Sequence, residues 1–169
     1  MLFVADSRII CSILAKMKKI LDDADRRILR EMQQDSSRTV TEIADAVGLS
    51  HAPCWRRIQR LRADGYIIRE AAVLDREKLG WEIEFFIYLK FSMQGRANVQ
   101  EFRRKIVEQE EVVGAYIVLG NFDLMLHVVA RNIRDYQRFY LKHLSGLPDL
   151  GDINSMTVMQ TLKEGQAPI

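Results

Sequence analysis

A chain of 169 residues with 48% hydrophobic and 28% charged side chains lies in the globular range, long enough for two small domains and too apolar for disorder. Its formal net charge of +2 does not by itself mark a nucleic-acid binder, although residues 1–80 carry 15 Lys/Arg against 12 Asp/Glu and the remainder 10 against 11. Two cysteines, Cys11 and Cys54, stand in no metal-type spacing, which argues against a disulfide framework and fits a reducing, cytoplasmic setting; no apolar run approaches the roughly 20 residues of a membrane span.

Residues 1–20 read as an N-terminal extension without the pattern of a signal peptide. Ile10, Ile13, Leu14, Met17 and Leu21 recur at helical spacing, so the segment is either an accessory extension or an extra packing helix. Residues 21–74 form the first expected domain. A helix is predicted over 22–34, with Ile28, Leu29 and Met32 on its apolar face and Asp22, Asp23 and Asp25 at its positive end. Thr39 and Glu42 then match a capping box. The helix they open carries Ile43, Ala44 and Val47 and ends at Gly48. Ser50 is expected to cap the third helix, with Pro53 in its first turn, where a missing N–H is tolerated.

That third helix has two faces. Cys54, Ile58 and Leu61 form an apolar seam, while Ala52, Arg56, Gln59 and Arg60 point away, with Trp55 at the border. Two short helices joined by Gly48-Leu49-Ser50, the second one arginine-rich, have the layout of a helix-turn-helix, whose second helix enters the DNA major groove. The expected DNA-facing residues are Ser50, His51, Ala52, Trp55, Arg56, Gln59 and Arg60; Arg57, nearer the seam, and Arg62 are expected to support them. Residues 66–69 and 71–74 read as two short strands, a wing or a tether, and 75–80 as a linker.

From Trp81 the period changes from 3.6 to 2. Trp81, Ile83, Phe85, Ile87, Leu89 and Phe91 alternate with Glu82, Glu84, Phe86, Tyr88 and Lys90. A helix near 97–109 follows, with Val99, Phe102 and Ile106 on one face. Strands near 112–119 and 122–130 are separated by Gly120-Asn121. A helix near 132–145, burying Ile133, Tyr136, Phe139 and Tyr140, and a last strand near 153–162 complete the domain of 81–164, ahead of a tail at 165–169. The order βαββαβ predicts an α+β chain: a winged helix-turn-helix followed by a ferredoxin-like sandwich with both helices on one sheet face. Both parities of the strands are apolar, so the open face needs a lid, and a second copy about a two-fold axis is the simplest one.

With these blocks in order, the chain resembles the Lrp/AsnC, or feast/famine, transcriptional regulators over about residues 20–164. The resemblance rests on Leu21-Asp22, Asp25, Ile28-Leu29, Glu42-Ile43-Ala44, Val47-Gly48-Leu49-Ser50, Pro53-Cys54-Trp55, Leu79-Gly80 and Gly120-Asn121-Phe122-Asp123. It implies a sequence-specific DNA-binding regulator that pairs through its effector sheets as a homodimer, or as an octamer of four dimers. Its effector would be an amino acid or related small molecule bound at the domain interface. Gly120, Asn121, Phe122 and Asp123 would form the ligand loop and Thr157 would face the pocket. Leu119 replaces a hydroxyl residue frequent in the family at that position.

No nucleophile–base pair, phosphate loop or metal-ligand spacing stands out, so neither an enzyme nor a cofactor is expected. His127, His143 and Arg131 are the residues a haem-pathway decarboxylase on the same fold would have to use. The other alternative is an architectural DNA-binding protein of low sequence specificity.

Overall fold

A computed structural model of the protein describes residues 21–92, 99–147, 150–163 and 167–169. The expectations for residues 1–20, the first residues of the 97–109 helix and positions 165–166 lie outside the described residues. The chain forms two compact units. One holds the described residues up to Ala72 together with those of Gly165–Ile169; the other spans Val73–Glu164.

The first unit is three helices: α1 Asp23–Gln34, α2 Val40–Val47 and α3 His51–Ala63. Each starts where local chemistry directs. Asp22 accepts from the Asp25 backbone N–H while the Asp25 side chain returns a bond to the Asp22 N–H, a reciprocal box the sequence reading credited only to dipole effects. Thr39 and Glu42 close the predicted box on α2, and Gly48 ends it at φ 69°, the left-handed geometry that favours glycine. The three apolar seams meet in a core of Ile28, Leu29, Met32, Ile43, Ala44, Val47, Cys54, Ile58 and Leu61. Burial raises the Cys54 thiol above its ordinary pKa, as suits a small hydrophobe.

Two expectations for this unit fail. Ser50 occupies the cap position of α3 but its side chain makes no capping bond. The third residue of the helix, which would offer the N–H, is Pro53, so the usual donor does not exist. Nor do residues 66–74 pair as wing strands; they run without strand hydrogen bonding. Tyr66 and Ile67 pack on the helical core, whereas Ile68 and Val73 are fully exposed. Two short strands alone bury too little to hold a ribbon together. The predicted linker is ordered within the second unit as consecutive turns, in which Leu79 N–H donates to Asp75 and Trp81 N–H to Arg76.

The second unit contains β1 Ile83–Phe91, α4 Val99–Ile106, β2 Val112–Ile117, β3 Leu124–Ala130, α5 Ile133–His143 and β4 Leu150–Thr157. The antiparallel sheet has the order β2-β3-β1-β4. Phe85, Ile87, Leu89 and Phe91 point into the core with Leu124, Leu126 and Val128, against Val99, Ile106 and Phe139 from the helices. Period 2 therefore identified the buried parity correctly. Ile133 is the exception, since it is 61% exposed and the seam of α5 begins a turn later, at Tyr136, whose ring stacks on Phe85. The opposite face of the sheet carries Phe86, Tyr88 and Met125, all half-buried, with Tyr116 and Met156 exposed. On the β2 edge the register slips between Val112 and Gly114.

Candidate functional site

The exposed side of α3 is built from its buried one. With Cys54, Ile58 and Leu61 anchored, the helix turns His51, Ala52, Trp55, Arg56 and Arg60 outward and leaves Gln59 half-buried. Ser50 precedes them with its hydroxyl uncommitted to the cap.

The four arginines have different partners. Arg57 donates to Asp22 at 2.6 Å and to Asp25 at 2.8 Å. Arg62 pairs with Glu70 at 2.6 Å. Both are thus engaged by carboxylates of their own chain. Arg60 is paired as well as exposed: its Nη2 donates to both carboxylate oxygens of Asp25 at 2.5 Å, while the side chain stays 45% exposed. Asp25 is the single buried charged residue among the described positions, 2% exposed, and it holds two arginines of α3 at once. A buried carboxylate needs such compensation, and the pairing fixes how α3 crosses α1. Hydrogen bonding to Asp22 and Asp25 raises the Arg57 pKa, so that guanidinium stays charged. Arg56 alone of the four has no acidic partner among the described residues. Asp25 is the residue at this site whose pairing with α3 the sequence reading did not anticipate. Its signal was present as an Asp-x-x-Asp pair facing an arginine-rich helix.

The second candidate site is the β2–β3 turn. Val118 N–H donates to the Asp123 carbonyl and closes the turn, and Gly120 adopts φ 137°. Leu119 is fully exposed. The Asp123 carboxylate accepts from the Phe91 N–H at 3.0 Å and lies 3.3 Å from Lys90 Nζ, so it ties the loop to the end of β1. Phe122 lies beside Tyr88, ring centroids 5.5 Å apart, and Asn121 is exposed at the tip. Thr157 does not join them. It sits opposite Phe85, while Asp123 is bonded to Leu89 and Phe91 at the other end of β1. At about 3.3 Å per residue that separation is roughly 13 Å or more, so one chain does not build a pocket from both.

A polar knot interrupts the open face of the sheet. His127 Nε2 lies 3.0 Å from Glu84, whose other oxygen accepts from Arg76 at 2.7 Å. Burial alone would raise the Glu84 pKa, but these two partners hold it below its ordinary value. His127 also stacks on Phe86. His143 packs on Phe139 beneath the other sheet face, and Arg131 lies over the Trp81 ring. Among the described residues no three His, Cys, Asp or Glu side chains cluster as metal ligands, and no helix is long and apolar enough to cross a membrane.

Comparison with known proteins follows the same division. Residues 21–68 match the family described as winged helix-turn-helix DNA-binding, and residues 84–168 match the Lrp/AsnC ligand binding domain. The DNA-binding transcriptional activator DecR of Escherichia coli is 32% identical over 144 residues, covering 85% of this chain and 95% of DecR. An AsnC family transcriptional regulator from Agrobacterium tumefaciens superimposes with a TM-score of 0.81 at 34% identity, over 88% of this chain and 97% of that one. The transcriptional regulator NMB0573 from Neisseria meningitidis, solved as a complex with L-Met, gives a TM-score of 0.77 at 26% identity over 86% and 94% of the two chains.

Proposed function

The chain belongs to the Lrp/AsnC family of DNA-binding transcriptional regulators, and from that premise we propose that it reads DNA as a two-fold dimer through α3 and answers to a free amino acid or a close chemical relative. The observation that carries the DNA reading is the division of labour among the arginines. Asp25 and Glu70 hold Arg57, Arg60 and Arg62, and so present Arg56, with Ser50, His51, Ala52, Trp55 and Gln59, on a helix of fixed orientation. Arg56 is the base- or phosphate-contacting cation of this site. Arg60, half-exposed and oriented by Asp25, is its second contact. Steering by a fixed helix suits sequence-specific recognition better than loose electrostatic coating.

The open face of the effector sheet supports pairing of two copies, since Tyr88, Met125, Tyr116 and Met156 form an apolar surface on one side of a four-stranded sheet. A second copy also offers the route by which Gly120, Asn121, Phe122 and Asp123 meet Thr157, across an interface. Amino-acid binding is supported by the L-Met complex of NMB0573, a relative of the same fold. In this chain the Asp123 carboxylate already holds Phe91 and Lys90, so an incoming ammonium group shares it with them. A role as a regulator rather than a catalyst is supported by the family and by the placement of His127 and His143 on opposite faces of the sheet, where no tetrapyrrole touches both.

The test is operator binding by the full chain, measured against upstream fragments from its own genome and random duplex, with each amino acid added in turn. A specific fragment should bind at least about 10³-fold tighter than random DNA. Arg56→Ala should weaken that complex roughly tenfold and lower its salt dependence by about one phosphate contact. Equal affinity for specific and random DNA would establish the architectural alternative instead.

A further inference from the structure

Beside α1 lies a cleft of about 560 Å³ that DNA recognition does not use. One wall is α1, with Leu29, Met32 and Gln33; another is the stretch of Tyr66, Ile67 and Ile68. The third boundary comes from the far end of the chain, Ala167, Pro168 and Ile169. Ile169 packs on the helical core. Arg30 donates from both Nε and Nη2 to the backbone oxygen of Ile169, at 3.3 and 2.9 Å, and Gln33 donates to the Ala167 carbonyl at 3.1 Å.

The geometry is that of a receptor for an extended peptide. Carbonyls two residues apart point to the same side of an extended chain. Arg30 and Gln33, three apart, are neighbours on a helix surface. The two periods meet, so one helix face reads alternate carbonyls. Pro168, between them, has no N–H to leave unsatisfied and keeps Ala167 extended. Its fixed φ also lowers the entropy lost on docking.

We propose that the side of α1 bordering this cleft is a peptide-docking site whose occupant is the chain's own segment Ala167–Ile169, and that the seating of that segment fixes α1, the helix whose Asp22 and Asp25 position Arg57 and Arg60. The segment follows the last strand of the effector unit in sequence and belongs to the first unit. Ile169 is the apolar anchor, Arg30 and Gln33 the backbone readers.

The experiment needs no DNA, so its failure leaves the DNA-binding reading standing. Full-length Ile169→Asp and Arg30→Ala are compared with the unaltered chain by thermal unfolding and amide hydrogen exchange. A chain lacking residues 165–169 is then titrated with a fluorescent peptide spanning residues 160–169. Ile169→Asp should lower the unfolding midpoint of the N-terminal unit by about 6 °C, the shift of a roughly tenfold loss in folding equilibrium for a small domain. Exchange should quicken in α1 and α3, and the peptide should bind the shortened chain saturably, with Arg30→Ala weakening it. Should the shortened chain fail to fold, the exchange comparison of Ile169→Asp decides. Unchanged exchange in α1 and α3 of Ile169→Asp, or absence of saturable peptide binding by a folded shortened chain, overturns the proposal.

Discussion

At the scale of single residues, Asp25 has the widest reach. It lies in the first turn of α1, completes the cap of that helix and grips two arginines of α3. Asp25→Asn keeps the shape and one acceptor but removes the charge that balances both guanidinium groups. It should lower the unfolding free energy by about 2 kcal/mol, within the range for hydrogen bonds to charged partners, as measured by urea denaturation. Operator affinity should fall as well, because Arg60 loses its fixed position. The seam residues Cys54, Ile58 and Leu61 were legible in the sequence because burial within one helix follows a local period. The Asp25–Arg60 pair was not, because it joins positions 35 apart through a helix crossing that no local pattern encodes. Likewise, Ser50 looked like a cap by type alone. Only its spacing from Pro53 shows that the donor is missing.

At the scale of elements, the caps decide where helices begin, and those of α1 and α2 use carboxylates. The Asp22 carboxyl is held below its ordinary value by the Asp25 N–H and then by Arg57; the Glu42 carboxyl is held down by the N–H and hydroxyl of Thr39. A lowered pKa in the folded chain means that the unfolded chain takes up protons first as the medium is acidified. The stability these groups supply is therefore complete above the usual carboxylate range, near pH 4–4.5, and is lost as pH falls through their lowered folded values. Melting of the N-terminal unit, followed by circular dichroism, should be flat from pH 7 to about 5 and decline below that, with a weaker decline in Thr39→Ala. The strands and helices of the effector unit were legible to within a few residues, because period 2 and period 3.6 differ plainly, except for the last strand, expected near 153–162 and found at Leu150–Thr157. The wing was not. Residues 66–74 have strand-like composition, but a strand exists only when something pairs with it.

At the scale of the whole molecule, the sequence showed an apolar sheet face in excess of what two helices can cover, and the structure leaves that face open on one side. Met156→Glu places a charge on it, next to the Phe86 register position. In a two-fold pair the charge meets its own image, so sedimentation should show the species shifting toward monomer while the melting of each unit changes little. The effector pocket was less legible than the interface. Residue types suggested Gly120 to Asp123 and Thr157 together, but which end of a strand a residue occupies depends on sheet order, and here the two lie at opposite ends of β1. Finally, the register slip at Val112–Gly114 bears on how such a molecule can multiply. β2 is a six-residue edge strand with a register slip beside Gly114, where an added Cβ would meet the Tyr116 ring at 2.9 Å. A short, kinked border is a poor template for continuing the sheet into a neighbour, so this edge is protected against strand-by-strand extension.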